Sequence, residues 1–563
     1  MVTTLEEEFA AYGGGNEYRW IGPPGCGKTH KAAHLAAWAA RKYGPEKVVL
    51  TSFSKAAAAI LRGRTDIPKE NVGTLHSLAL RAIGGLGSRR NVVSSRKGHL
   101  KLFSEKYPRY AIQAVRTVDN DGSYSTAKSD FPGEALLNER DRLAELLRDQ
   151  EAWKPEIRYF HDAWERFKEE EGLIDFHDMI RIAYEDTDCA PGDPDVMVCD
   201  EAQDFSLLQT RLIRKWGLNT QFFILIGDDD QCVYQFRGAS PDSLIDPPIK
   251  SDHYGILDQS YRVPRQVHAY ATKWIERVDP DHRLAKEYKP RDADGVVSSI
   301  DATYREPFNV INDAAGQLKN GRSVMFIATC NYMLHEMIRI MRQNGVPYSN
   351  KYSPGNNYWN PLKRHKFMHG LLSFLPAVTG DQRAWTVEEL CSWADCLKGM
   401  ARKWRDKISD VPLQVAADEK ILDMVLGDKY DALFDAMDKG EGLQFFLGNT
   451  LAEYRDDLHR DDKYPGTMQY VENVIASGGV ETLYNQELIN RVTIGTIHSV
   501  KGGEADVVYL FPDIPEAMKM DWNYNTNGSR DDIYRLFYVG MTRAREELVL
   551  AAPAAQTLAV RFA

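Results

Sequence analysis

The chain has 563 residues, 43% hydrophobic and 27% charged, an ordinary globular composition on a length too great for one core. No apolar run is long enough to cross a bilayer, and the acidic Leu5-Glu6-Glu7-Glu8 is the reverse of a leader's charged start, so a cytoplasmic protein with no membrane association is expected. The net charge of −11 does not exclude a nucleic-acid partner, because a binding track can be local. The seven cysteines include no C-x-x-C, which predicts reduced thiols and neither structural zinc nor an iron–sulfur site.

In chain order, Arg19-Trp20-Ile21 reads as a strand end and Lys31 to Lys42 as an Ala-rich helix. Between them, Gly22-Pro23-Pro24-Gly25-Cys26-Gly27-Lys28-Thr29 matches G-x-x-x-x-G-K-[ST], a loop whose backbone N–H groups cradle phosphates. Gly22, Pro23, Gly25, Cys26 and Gly27 would line it, Lys28 would reach the β- and γ-phosphates, and Thr29 would hold Mg²⁺. Cys26 reads as an inert small residue. Val48-Val49-Leu50 is a strand that leads through Thr51-Ser52-Phe53-Ser54 into a helix. Thr51 and Ser54 suit a nucleic-acid phosphate, and Phe53 can stack on a base.

Residues 86–185 read as an insert with helices over Glu134 to Trp153 and His161 to Glu171. Its start is basic, with Arg89, Arg90, Arg96, Lys97, Lys101, Lys106, Arg109 and Arg116, and Phe103, Tyr107 and Tyr110 lie among them. That pattern suits a phosphate-tracking groove or a solvated face. His177 and Asp178, on the way back, read as structural. The apolar run Val196 to Cys199 ends at Asp200-Glu201-Ala202-Gln203-Asp204. Asp200 at a strand end can orient Mg²⁺, and Glu201 can deprotonate the attacking water. A third buried strand, Phe222 to Ile226, enters Gly227-Asp228-Asp229-Asp230-Gln231-Cys232-Val233-Tyr234-Gln235-Phe236-Arg237-Gly238-Ala239. Another covers Ser323 to Ala328. Residues 353–485 form a second, mostly helical insert, with Trp385, Trp393 and Trp404 as core.

With Gly73-Thr74-Leu75-His76-Ser77, Leu257-Asp258-Gln259-Ser260-Tyr261-Arg262, Gly495-Thr496-Ile497-His498-Ser499-Val500-Lys501-Gly502-Gly503-Glu504 and Tyr538-Val539-Gly540-Met541-Thr542-Arg543-Ala544-Arg545, these segments resemble the UvrD/Rep/PcrA branch of superfamily 1 helicases. The resemblance runs from residue 20 to residue 550. It implies an α/β fold of two RecA-like parallel-sheet P-loop NTPase domains, each with a mainly helical insertion. Domain 1A would hold residues 1–85 and 186–258, insert 1B residues 86–185, domain 2A residues 259–352 and 486–563, and insert 2B residues 353–485. ATP would bind in the cleft between 1A and 2A, and a monomer would move 3′→5′ on single-stranded DNA and unwind tailed or forked duplex.

By position, the resemblance makes Gln231 the γ-phosphate and water sensor, and Arg262 and Arg543 the arginine fingers. Tyr261 would stack on adenine and Glu504 would contact the ribose. Tyr234 and Phe236 would stack on bases beside Arg237, and Thr74, His76 and His498 would join them on DNA. The chain also departs from the family pattern. Residues 1–19 contain no glutamine to read adenine, so other NTPs can serve. Gly502-Gly503-Glu504 replaces Gly-Leu-Glu, no Gly-Ile-Gly turn appears between 353 and 485, and the usual aromatic hairpin is replaced by the Ala-rich 551–559. The last two departures favour an alternative: a DNA-stimulated NTPase that senses or remodels DNA with little unwinding.

Overall fold

The computed structural model describes residues 16–53, 58, 61–84, 91–94, 97–112, 132–353, 362, 366–379, 385–397, 407–450, 467–483, 485–524, 529–555 and 558–562. The chain divides into two compact units. The first holds residues 1–304, 327–333 and 496–563, and the second holds 305–326 and 334–495.

The strands of the first sheet are β1 (Glu17–Ile21), β2 (Val48–Ser52), β3 (Val72–Thr74), then β6 (Val196–Asp200), β7 (Phe222–Gly227) and β8 (Tyr254–Ile256); β4 (Asn91–Val92) and β5 (Leu173–Ile174) form a small parallel pair of their own. The sheet order is β3-β2-β6-β7-β1-β8. Each neighbouring pair is parallel. The apolar runs Val48–Leu50, Val196–Cys199 and Phe223–Ile226 are buried because helices cover both faces, as a parallel sheet requires. In register, Ile21 lies beside Gly227, and Ser52 lies beside both Asp200 and Thr74. The phosphate loop, the acidic motif and the Asp228–Gln231 segment therefore leave one edge of the sheet, where open α/β sheets bind ligands.

After β8 come β9 (Gln259–Pro264), β10 (Lys289–Arg291), β11 (Val296–Ile300), β12 (Val324–Ala328), β13 (Val492–Thr496), β14 (Ala505–Leu510) and β15 (Ala544–Ala551). In the first unit β15 pairs in parallel with both β11 and β14. Phe511 N–H donates to the Ile327 carbonyl at 3.1 Å, tying the end of β12 to this second sheet. The expected α/β class with parallel sheets, the pattern of RecA-like domains, is what the chain forms.

Some elements differ from their expected bounds. The long helix expected over 134–153 is Pro132–Glu145, followed by a break where Leu147 has φ +55° and by a short 3-10 turn at Gln150–Ala152. The next helix starts earlier than its pattern, at Pro155, because proline suits the first helical turn. Phe103 is fully buried against Phe160, Trp164 and Phe167, so it serves the core rather than a nucleic-acid groove. Lys97, Lys101, Lys106 and Arg109 are exposed, with Lys101 paired to Glu105 at 3.7 Å and Lys106 to Glu170. Arg89, Arg90, Arg96 and Arg116 lie outside the described residues.

In the second unit the described residues of 353–485 are mainly helical. Trp385 and Trp393 are buried with Phe374 and Phe446, at ring separations of 4.8–5.7 Å among contacting pairs that include Phe374. They are core, as expected; Trp404 lies outside the described residues. Among the described residues, no helix is long and apolar enough to cross a membrane.

Candidate nucleotide and nucleic-acid site

The phosphate loop joins β1 to the helix Lys28–Tyr43. Gly27, the residue before that helix, sits at φ +82°, ψ 32°, and no side chain caps the helix start. The first helical N–H groups therefore lack a side-chain acceptor at the end of the helix that attracts anions. Gly22 and Pro23 are buried, and the Lys28 ammonium donates to the Gly22 carbonyl at 2.8 Å. Burial pushes the Cys26 thiol up to about 11, which agrees with an inert residue.

The acidic motif ends β6 beside this loop. The Thr29 hydroxyl donates to Asp200 Oδ2 at 3.0 Å. Asp200 Oδ1 is buried with no hydrogen-bond partner. A hydroxyl, a carboxylate and an orphaned buried oxygen form a hard-oxygen set that fits Mg²⁺. Burial and neighbouring Glu201 raise the Asp200 carboxyl to about 7.

Glu201 adopts φ +54°, ψ 43°, a left-handed conformation rare outside glycine and often found at working sites. Burial opposes its charge, but Lys28, Lys501 and a hydrogen bond from Gln203 hold its carboxyl below the usual range. Gln203 has two tasks: its Nε2 donates to Glu201 Oε2 at 2.5 Å, and its Oε1 accepts from Asp228 N–H at 3.0 Å.

Gln231 stands on the short turn after β7. Its Nε2 donates to Asp228 Oδ2 at 2.7 Å, and its Oε1 accepts from the Arg543 guanidinium at 3.3 Å. Arg543 also donates to the carbonyls of Val539 at 2.8 Å and Gly503 at 3.2 Å, and it is 1% exposed. Lys501 bridges Asp204 and the Gln231 carbonyl.

The start of β9 lies on the phosphate loop. Tyr261 N–H donates to the Gly25 carbonyl at 2.9 Å, and the Ser260 hydroxyl donates to the Pro24 carbonyl at 2.7 Å. Arg262 pairs with Glu504 at 2.7 Å, and Arg545 approaches the other Glu504 oxygen at 3.4 Å. Burial opposes the Glu504 charge, yet Arg262 holds its carboxyl low. The Tyr261 ring is 72% exposed, an open face for a planar base.

The residues expected on DNA fall into two groups. Phe53 and Tyr234 rings lie 5.0 Å apart, Phe236 meets His498 edge-on at 5.4 Å, and Arg237 lies over Phe236 at 5.5 Å. His498 is bonded through Nε2 to the Val233 carbonyl at 3.0 Å. These five residues form one aromatic and cationic cluster at the end of the Gln231 turn. His76 meets Phe176 at 5.6 Å, and both border, with Phe53, Phe236 and Arg237, a cavity of about 130 Å³. Thr74 caps the helix that follows it, accepting from Ser77 N–H. Thr51 is completely buried and its hydroxyl lacks a partner. Ser54 lies outside the described residues.

His177 and Asp178 are structural. His177 Nδ1 pairs with Glu145 at 3.0 Å, and Asp178 completes a capping box with Asp175. Sequence reasoning gave no role to Gln203, Lys501, Lys286 or Asp228. The first two and Asp228 lie inside quoted motifs, where a polar residue with no assigned partner was the available signal. Lys286 lies outside every motif.

The comparisons with known proteins agree with this arrangement. The UvrD/REP helicase N-terminal domain family matches residues 20–247, and the UvrD-like helicase C-terminal domain family matches 448–554. The chain is 23% identical to a protein named putative ATP-dependent DNA helicase YjcD of Bacillus subtilis, over 94% of this chain and 76% of the relative. It is 21% identical to ATP-dependent DNA helicase Rep of Buchnera aphidicola, over 90% and 86% respectively. It is 22% identical to DNA helicase II of Escherichia coli, over 93% and 81%. With both domains matched and the phosphate loop, acidic motif and Asp228–Gln231 turn on one sheet edge, the chain belongs to the UvrD/Rep family of DNA helicases.

Proposed function

We propose that this protein is an ATP-driven motor that moves 3′→5′ along single-stranded DNA and unwinds tailed or forked duplex. The observation that carries the reading is the position of Gln231. Its side chain bonds Arg543, and three residues later the same segment enters the aromatic cluster of Tyr234, Phe236 and Arg237. A change at the γ-phosphate is thus transmitted along a few residues of backbone to the surface that holds bases. In this reading 1A, 1B, 2A and 2B keep the boundaries expected from the sequence, with the nucleotide between 1A and 2A.

Lys28 and the loop amides bind the phosphates, and Glu201 accepts the proton of the attacking water. Arg262 and Arg543 meet the charge that develops on the γ-phosphoryl group. Thr29 and Asp200 would hold Mg²⁺, which when bound supplies a Lewis acid to the phosphate oxygens. Tyr261 stacks on the base and Glu504 reads the sugar. No side chain assigned here reads the adenine edge, so GTP and dATP should also be turned over.

The test is strand separation on 3′-tailed, 5′-tailed and blunt duplexes of the same sequence. The motor reading requires unwinding of the 3′-tailed substrate in preference to the other two. A second reading, a DNA-stimulated NTPase with little unwinding, draws support from the segment after β15. Residues 558–560 run back along 512–514, with Ile514 N–H donating to Leu558 at 2.8 Å and Val560 N–H donating to Pro512 at 3.0 Å. This Ala-rich segment offers no aromatic wedge. Strong DNA-stimulated turnover without strand separation selects the second reading.

A further inference from the structure

Asp228, Asp229 and Asp230 are consecutive, and all three are completely buried. An uncompensated carboxylate in such a place takes up a proton rather than stay charged. Compensation comes from the segment between the helix Arg265–Ile275 and β10. The Lys286 side chain, 1% exposed, reaches Asp228 Oδ1 at 3.0 Å and Asp230 Oδ2 at 2.9 Å, and it also bonds Asp229. Arg283 makes a two-pronged pair with Asp230 at 2.8 and 3.0 Å. Among the described residues, Lys286 is the cation paired with Asp228.

Asp228 controls Gln231. Its Oδ2 accepts from Gln231 Nε2 and its carbonyl from Gln231 N–H at 2.9 Å. An ionised carboxylate can only accept, so the Gln231 amide must turn its NH₂ toward Asp228 and its oxygen toward Arg543. A protonated Asp228 no longer requires a donor there, and the Gln231 amide loses that constraint on its orientation.

We propose that Lys286 is a positioning residue for ATP hydrolysis: its ammonium keeps Asp228 an acceptor, and Asp228 thereby holds the Gln231 carbonyl toward Arg543. The proposal rests on the reading of Gln231 as the hydrolysis sensor. Beside Asp228, burial pushes Asp229 up to about 6 against the opposing pull of Lys286, while Lys286 and Arg283 outweigh burial and hold Asp230 below the usual range. The other ionisable groups around the cluster are Arg535, whose Nε donates to the Asp229 carbonyl at 3.1 Å, the Cys26 thiol of the phosphate loop, which burial and the Asp228 charge push up, and the phenols of Tyr254, Tyr288 and Tyr538. Burial pushes all three phenols up, so they stay neutral through the range tested.

The experiment measures DNA-stimulated ATP turnover from about pH 6 to about pH 9 for the full chain and for Lys286→Met, Lys286→Met with Asp229→Asn, and Gln231→Ala. Lys286→Met should lose at least about tenfold in kcat near neutral pH, with KM for ATP little changed. The loss should shrink as pH rises, because only an ionised Asp228 orients Gln231 and alkaline solution favours that form. The double variant leaves the net charge of the cluster unchanged and should regain most of the turnover at neutral pH. Wild-type kcat in Lys286→Met, or a loss that neither pH nor Asp229→Asn relieves, overturns the proposal. If Lys286→Met does not fold, the double variant decides by the same criterion. Normal turnover in Gln231→Ala overturns the sensor reading itself, and the proposal with it.

Discussion

Arg262 lies directly against Gly25 of the phosphate loop: a Cβ added to Gly25 would stand 2.5 Å from the Arg262 Cβ. Gly25 also has φ +75°, where a side chain costs about 1–3 kcal/mol. Gly25→Ala therefore strains the loop and pushes away the arginine next to it. The expected result is a higher KM for ATP and a kcat at least about tenfold lower. Steady-state kinetics at saturating DNA checks this, and unchanged kinetics would show that the close approach has no role in turnover.

Glu201 and Lys28 should separate binding from chemistry. In Glu201→Gln the amide cannot take the water's proton, and hydrolysis should fall by about 10²–10⁴ while nucleotide binding persists. Lys28→Ala should lose binding itself, because the ammonium sits at the loop, 2.8 Å from the Gly22 carbonyl. A fluorescent nucleotide titration beside a phosphate-release assay distinguishes the two. Equal loss of binding in both variants would remove Glu201 from the role of base.

The local chemistry of the site was legible because each motif marks a turn at a strand end. G-x-x-x-x-G-K-T closes its loop on a glycine, and that glycine, Gly27, adopts positive φ, as does Gly25 inside the loop. The apolar runs before Asp200 and Gly227 could be read as strands buried on both faces. What was not legible is long-range pairing between charged residues. Nothing in the sequence around Lys286 announces that it pairs with Asp228, Asp229 and Asp230, since lysine near aspartate is ordinary on a surface. The basic stretch of the first insert left a groove and a solvated face both open for a related reason. Phe103 shares a helix with exposed lysines, and only the packing of Trp164 and Phe167 around it shows that it is core.

Arg543 should be indispensable for turnover. Its guanidinium is buried and spreads its donors over Val539, Gly503 and Gln231. Arginine fingers contribute about 10³–10⁵ in rate in GTPases, and Arg543→Ala should lose a comparable factor in kcat. Arg543→Lys should recover little, because an ammonium cannot reproduce the planar fork. Thermal unfolding separates this from misfolding. A folded Arg543→Ala protein with near-normal kcat would take this arginine out of the mechanism.

The Glu145–His177 pair gives a pH-dependent contribution to stability. Burial lowers the His177 pKa, but the hydrogen bond and charge of Glu145 outweigh it and leave it raised above 6.5. Its contribution is full below about pH 6.5 and is lost as pH rises through the raised value. Burial raises Glu145, but His177 outweighs it and leaves it below 4.5, so that contribution is present above about pH 4.5 and is lost as pH falls through the lowered value. The pair therefore stabilises most between those limits. The Tm difference between the natural chain and His177→Gln should be largest at mildly acidic pH and shrink toward alkaline pH. A difference that does not vary with pH would mean that the histidine is neutral in the folded protein.

DNA affinity should rest on stacking at the cluster beyond Gln231. Phe53 and Tyr234 lie 5.0 Å apart, and Phe236 meets both His498 and the Arg237 guanidinium. Each base–aromatic stack contributes about 1–3 kcal/mol, so Phe236→Ala should weaken binding to single-stranded DNA roughly 5- to 150-fold. Stacking is tolerant of sequence, so homopolymers of thymidine and adenosine should be affected similarly. Because Phe236 follows Gln231, the proposed sensor, by only a few residues, DNA-stimulated turnover should fall more than hydrolysis without DNA. Titration of labelled oligonucleotides with parallel ATPase assays measures both quantities. If Phe236→Ala bound DNA as the natural chain does, the cluster would be packing for the Gln231 turn, and the base-holding surface would have to lie elsewhere.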